Sequence, residues 1–356
     1  MKVSVVLGTR PEIIKLSPII KKLNKKSTSV IFTGQHYDYN MGMNFIDQLG
    51  LNKPNYSMKI PKTKPNLQIS EIIKKLSKIF EMEKPENVIV QGDTNTVLAA
   101  GIASLKSNIS VSHIESGLRS NDWRMPEEHN RIIVDNFSEY LFTPTQTTKQ
   151  NLILEKVHGK IFVTGNTVID AINLFSKISK KYSKLDLDMN DYVLLTLHRS
   201  ENVDNKLILS SLVKSILDSN QKFIFPVHPR TKKRLYEFNL FKKLKISKNI
   251  TMFDSVGYFE MLELMKNCKF IVTDSGGIQE EATAPSIRKK VLVLRKTTDR
   301  PEAVFEGFSE IVGTNYNQIL KSLTKTARDP ATPKKKSPYG DGNSTNKIIQ
   351  HLKNNL

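Results

Sequence analysis

The chain has 356 residues, 38% hydrophobic and 25% charged. That is enough for two ordinary domains with separate cores, and unlike a disordered, fibrous or disulfide-stapled chain. Its single cysteine, Cys268, excludes an internal disulfide and fits a reducing compartment.

No apolar run approaches the roughly 18 residues a membrane span requires, and the first one is cut at Gly8-Thr9-Arg10, too early for a signal peptide. A cytoplasmic protein with no membrane partner is expected. The formal charge of +19 raises nucleic acid as a partner. The lysines, however, are spread over the whole length without interleaved aromatic residues to stack on bases. A solvated lysine-rich surface is favoured, with no nucleic-acid partner.

In chain order, short β-branched apolar runs alternate with turns and amphipathic segments, the pattern of βα units around a parallel sheet. Strands are expected at 2–7, 29–33, 87–91, 111–114, 140–143 and 160–163. After Pro11 the spacing of Ile13, Ile14, Leu16, Ile19, Ile20 and Leu23 predicts a helix. The polar stretch 176–191 is taken to lie near an interdomain linker. A second series of strands is expected at 192–197, 222–227, 250–253, 270–273 and 291–294, and a last helix at 345–352 that returns to the first domain. The fold class is therefore α/β with two Rossmann-like domains. The boundaries are 1–168 for the first, 169–336 for the second and 337–356 for the returning helix.

Chemistry is expected at strand ends, where open α/β sheets bind ligands. The first strand runs into Gly8-Thr9-Arg10-Pro11-Glu12, placing Arg10 and then Lys15 at a helix start, an anion site by charge and helix dipole. Taken singly, both cations are ordinary surface residues. The pattern G-x-G-x-x-G is absent there, which argues against a dinucleotide cofactor.

Asp93 follows the strand 87–91 and by itself is a helix N-cap. Glu115 follows the next strand, and Glu127 opens a helix. Carboxylates gathered at one edge repel one another and acquire pKa values useful for proton transfer. A metal site built on His113, Glu115 and His129 is disfavoured, because their spacing matches no closed site. In the second half, His198 and His228 each leave a strand end. The run Asp274-Ser275-Gly276-Gly277 offers backbone to which a phosphate comes close, with Glu281 one turn on for ribose hydroxyls.

Taken in order from the first residue to the last, these motifs resemble the non-hydrolysing UDP-N-acetylglucosamine 2-epimerases. The set includes Gly8-Thr9-Arg10-Pro11-Glu12, Gln91-Gly92-Asp93-Thr94, Glu115-Ser116-Gly117-Leu118-Arg119, Pro126-Glu127-Glu128, Thr164-Gly165-Asn166, His198-Arg199, Arg300-Pro301-Glu302 and Pro338-Tyr339-Gly340-Asp341-Gly342.

The resemblance implies the glycosyltransferase-B architecture, an active site in the interdomain cleft, a homodimer, and no cofactor or catalytic metal. It implies C2 inversion between UDP-N-acetylglucosamine and UDP-N-acetylmannosamine, by anti elimination of UDP to a 2-acetamidoglucal and re-addition. Catalytic residues carried over are Asp93, Glu115, Glu127 and His198. Those expected to hold UDP and the sugar are Arg10, Lys15, Arg131, His228, Val256, Met261, Ser275, Gly276, Gly277, Glu281 and Arg300. Gln35-His36 matches a motif of a second, regulatory substrate site in some members. Alternatives are an epimerase for UDP-2,3-diacetamido-glucuronic acid and a hydrolysing epimerase that releases N-acetylmannosamine and UDP.

Overall fold

Strands β1 (Val3–Leu7), β2 (Thr28–Phe32), β3 (Tyr56–Ser57), β4 (Asn87–Gln91), β5 (Ser110–Ile114), β6 (Tyr140–Thr143) and β7 (Lys160–Val163) form one sheet in the order β3-β2-β1-β4-β5-β6-β7. Their pairings are parallel. The computed structural model describes residues 2–35, 39–60, 63–183, 185, 191–331 and 334–356. His36 of the expected regulatory motif lies outside them.

Near-continuous apolar runs such as VSVVL in β1 and NVIVQ in β4 are buried at every position, as strands covered by helices on both faces must be. The helix Arg10–Lys22 buries Ile13, Ile14, Leu16 and Ile19. The opposite flank packs Ile72, Leu76, Val97 and Ala100 against Val6, Val88 and Val90.

The chain divides into two units, one of Met1–Ala171 with Tyr339–Leu356 and one of Ile172–Pro338. Two of the sequence motifs meet in the first unit and are spent on closing it. Asn166 N–H donates to Tyr339 O at 2.7 Å. Asp170 accepts from Ser344 and Thr345 N–H at 3.2 and 2.8 Å, satisfying the start of the terminal helix Ser344–Asn355. Gly165, at φ 90°, leaves no room for a side chain, because a Cβ there would stand 2.5 Å from Ser344 Oγ.

In the second unit, β8 (Val193–Thr196), β9 (Phe223–Pro226), β10 (Ile250–Phe253), β11 (Ile271–Thr273), β12 (Val291–Val293) and β13 (Ser309–Ile311) form a parallel sheet in the order β10-β9-β8-β11-β12-β13. Both sheets thus reverse strand order once, between β1 and β4 and between β8 and β11. Such a switch point opens a crevice at the C-terminal strand ends. The units divide between Ala171 and Ile172, just before the polar stretch 176–191 near which the linker is expected. Ser179 is buried and its hydroxyl donates to Glu263, while Tyr182 stacks on Phe259 with ring centroids 5.0 Å apart. Lys177, Lys180, Lys181 and Asp191 of this segment are exposed; residues 184 and 186–190 lie outside the described ones.

Candidate functional site

The first unit gathers its polar side chains on the loops that leave β1, β4 and β5. Gly8 is required where β1 ends: a Cβ there would lie 2.2 Å from both Thr33 Oγ1 and Thr96 Oγ1. Glu12, in the first turn of the helix Arg10–Lys22, folds back so that Oε2 accepts from Gly8 and Thr9 N–H at 2.5 and 2.7 Å. Its other oxygen accepts the Thr94 hydroxyl from the β4 loop. Glu12 therefore ties the two loops that flank the switch point. Burial, partly offset by these donors, pushes its carboxyl up to about 7.

Asp93 and Glu115 leave adjacent strands, since Gln91 pairs with Ile114 in the parallel ladder. Each carboxylate has a cation of its own: Asp93 is paired with Arg131 and Glu115 with Lys15. Mutual repulsion, the reason the sequence gives for useful carboxylates here, is thus relieved by these cations. Glu115 also accepts from Gln91 Nε2 at 2.6 Å. Its backbone sits at φ 67°, a left-handed conformation rare outside glycine. The turn is held because the N–H groups of Glu115 and Ser116 both donate to Phe142 O, at 3.0 and 3.2 Å.

The helix Pro126–Phe137 supplies the other wall. Asn130 Nδ2 donates to Asp93 O at 2.9 Å, and Arg131 bridges Asp93 and Glu128, the latter at 2.8 Å. Glu128 is buried and accepts from Ser120 and Asn121 N–H, fixing the preceding loop. Glu127 is exposed on the first turn, four residues before Arg131 and so on the same face.

Behind this row lies a buried cluster that no sequence motif groups. His113 bonds to Asp135 Oδ1 at 2.7 Å and to Gly92 O at 2.8 Å. Asp135 also meets Arg119 at 2.8 Å. The cluster holds the Gly92 carbonyl immediately before Asp93. Arg10 lies over the Phe45 ring at 5.4 Å, a cation on an aromatic face. Of the three cations of this unit expected to hold the substrate, Lys15 and Arg131 are thus engaged with carboxylates and Arg10 with an aromatic ring.

In the second unit, His198 follows β8 and His228 follows β9, and their rings stand 5.8 Å apart. His228 caps the helix Pro229–Glu237, its Nδ1 accepting Arg230 N–H at 3.3 Å. Burial first, then the neighbouring His198 charge, lowers its pKa. Asp274, the residue after β11, is buried and accepts from the N–H groups of His198 and Arg199. In the sequence Asp274 stands only as the start of the run into the glycines; its position one residue past a strand end is the signal that singles it out.

Ser275 caps the helix Gly276–Glu281. Gly276 is packed, since a Cβ would come within 2.8 Å of Asp299 Oδ1. Among the described residues, what a Cβ at Gly277 would meet first is Ser275 Oγ at 3.9 Å, so the backbone is open to approach. Glu281 Oε1 borders that opening at 4.0 Å. Arg300 Nε reaches buried Glu280 at 3.2 Å, and its Nη1 donates to Asp299 O at 2.9 Å. Val256 and Met261, before and within the helix Tyr258–Asn267, are half-buried. Among the described residues, no group of three or more His, Cys, Asp or Glu side chains is placed to hold a metal ion, and no helix is long and apolar enough to cross a membrane.

Two parallel sheets of Rossmann topology, each with charged loops at its switch point, define an α/β protein of the twin-Rossmann class. Within that class the chain belongs to the UDP-N-acetylglucosamine 2-epimerase family, whose model matches residues 20–353. It is 45% identical to a UDP-N-acetylglucosamine 2-epimerase of Methanocaldococcus jannaschii over 99% of both chains. It is 33% identical to a UDP-2,3-diacetamido-2,3-dideoxy-D-glucuronate 2-epimerase of Pseudomonas aeruginosa, again over 99% of both. A crystal structure of the Methanocaldococcus jannaschii UDP-GlcNAc 2-epimerase with UDP-GlcNAc and UDP superposes with a TM-score of 0.86 at 43% identity, covering 99% of this chain and 100% of that one. The Neisseria meningitidis enzyme bound to UDP-GlcNAc gives 0.86 at 34% identity, covering 100% of both.

Proposed function

We propose that this protein interconverts UDP-N-acetylglucosamine and UDP-N-acetylmannosamine at C2 without net hydrolysis. The observation that carries the reading is the row of carboxylates at adjacent strand ends, Asp93 with Arg131 and Glu115 with Lys15, in a chain of this family. In the first half-reaction a carboxylate takes the C2 proton and the C1–O bond breaks. Its electron pair leaves with the UDP β-phosphate oxygen, and a C1=C2 double bond remains. In the second, a proton is delivered to the other face of C2 and the phosphate oxygen re-forms the bond to C1. Asp93, Glu115 and Glu127 are the proton-transfer groups, because two faces of one carbon need acids and bases in two positions.

His198, His228, Arg10 and Arg300 offer positive charge or N–H donors to the diphosphate. The open backbone at Gly277, with Ser275 and Gly276 before it, allows close approach, and Glu281 borders it for ribose hydroxyls. Val256 and Met261 are assigned to the uracil. Lys15 and Arg131 hold the carboxylates and lend charge as UDP departs. The buried single cysteine suits work in the cytoplasm.

Incubation with UDP-N-acetylglucosamine, followed by NMR of the sugar ring, tests the reading. UDP-N-acetylmannosamine is expected; UDP with stoichiometric free N-acetylmannosamine would instead identify a hydrolysing enzyme. The Pseudomonas relative motivates a second substrate, the diacetamido glucuronate, and turnover of that sugar alone would replace the first assignment.

A further inference from the structure

Asp274 stands at the switch point of the second sheet and makes four contacts to the segment that carries His198. Its carboxylate accepts from His198 N–H at 3.1 Å and from Arg199 N–H at 3.0 Å. It also accepts from Asn202 Nδ2 at 3.2 Å. The fourth contact is to the imidazole, whose Nδ1 lies 3.2 Å from Asp274 Oδ1. Asn202 is anchored in turn by donating to Leu294 O at 2.8 Å, so loops following β8, β11 and β12 are locked together. The Asp274 side chain is fully buried, whereas that of His198 is 37% exposed. Burial alone would raise the Asp274 carboxyl. The hydrogen bond and charge of His198, with the backbone and Asn202 donors, outweigh it and hold the carboxyl below its usual range.

An ionised carboxylate only accepts hydrogen bonds, so the ring nitrogen facing it must carry the proton. We propose that Asp274 is a positioning residue for the reaction, fixing His198 with Nδ1–H toward itself and Nε2 turned to the substrate. This rests on the epimerase reading for its consequence, while the pairing itself is a property of the protein alone. The arrangement orients one of the two rings assigned to the departing diphosphate. Other charged groups around His198 are few. His228 comes from the β9 loop with Arg230 beyond it. On its own segment Arg199 turns to Asp299 at 3.8 Å, and Glu201 to Arg295 at 3.6 Å. Among the described residues, Asp274 is thus the carboxylate in contact with the ring.

Two measurements test this, and they separate the pairing from the epimerase reading. Protein labelled with 15N at histidine, with His198 assigned by H198N, is expected to show a protonated Nδ1 and an unprotonated Nε2 for the neutral ring. An Nε2–H tautomer in the wild-type protein overturns the proposal whether or not any UDP-sugar is turned over, and whether or not a variant folds.

In kinetics, D274N is expected to lower kcat on the order of a hundredfold with KM changed less than about threefold, as loss of an oriented acid or base does. The double variant D274N/H198N should be no slower than H198N, because Asp274 acts through the ring. Losses that multiply, or a D274N protein whose KM rises as much as its kcat falls, would show that Asp274 only supports the fold. Failure of the wild-type protein to convert UDP-N-acetylglucosamine, with the expected tautomer observed, would count against the substrate and not against the pair.

Discussion

Gln91 Nε2 donates to Glu115 Oε2 at 2.6 Å, on the oxygen that also pairs with the Lys15 ammonium. A strand-end amide and a helix cation thereby converge on one carboxylate whose backbone is held at φ 67°. Left-handed backbone outside glycine costs about 1–3 kcal/mol and persists where surrounding structure imposes it. Here the Phe142 carbonyl does so, accepting two consecutive N–H groups.

Replacing Glu115 by Gln keeps the size of the side chain and removes the base. Turnover should fall on the order of a hundredfold or more, with a thermal midpoint close to that of the wild type. Lys15→Met should lower turnover as well, and should also destabilise the fold, because it leaves a buried carboxylate without its cation. Steady-state rates and melting curves for both variants decide it. Equal rates in wild type and Glu115→Gln would remove this carboxylate from the chemistry.

For His198→Asn and Asp93→Asn, kcat should drop by about a hundredfold or more while circular dichroism stays unchanged. Near-normal turnover in either would free that residue from a catalytic role.

The two glycines after Ser275 should respond oppositely. Gly276→Ala pushes a methyl group to within 2.8 Å of Asp299 Oδ1 and should cost about 1–3 kcal/mol of stability. Gly277→Asp enters open space, so stability should change by less than about 0.5 kcal/mol. Its charge would face the diphosphate, and UDP binding by calorimetry should be lost. Unchanged UDP affinity in Gly277→Asp would mean that the nucleotide binds elsewhere.

Glu12 makes stability depend on pH. Its folded pKa of about 7 lies above the ordinary 4.5, so the folded state holds the proton more tightly than the unfolded chain. The contribution is complete below about 4.5 and is lost as pH rises through about 7. The span corresponds to roughly 3 kcal/mol for this fully buried group. Glu12→Gln cannot ionise, so its stability relative to wild type should improve between pH 5 and about 8 in denaturant titrations. A constant difference across that range would show that Glu12 is ionised throughout.

The strands that the sequence announced are the long apolar ones, as at β1 and β4. Edge strands β3 and β13, of two and three residues, carry too few positions for any period to show. Residue types at strand ends indicated Asp93, Glu115, His198 and the Ser-Gly-Gly turn. Their partners were not legible. That Lys15 belongs to Glu115 and Arg131 to Asp93 depends on which loops the strand order brings together, a long-range property that local spacing does not carry. The same holds for Asp274, distant in sequence from the histidine it contacts. The Asn166 and Tyr339 motifs, which enter the sequence analysis only through the resemblance, close the first unit.

The central claim is that C2 is inverted by removal and return of its proton while UDP leaves and comes back. Conversion of UDP-N-acetylglucosamine in deuterium oxide, followed by NMR, tests it most directly, since a carboxylate base exchanges its proton with solvent between the two half-reactions. UDP-N-acetylmannosamine carrying deuterium at C2, with free UDP and 2-acetamidoglucal accumulating slowly, is the result this account predicts. Epimerised product that retains its original C2 hydrogen would contradict it.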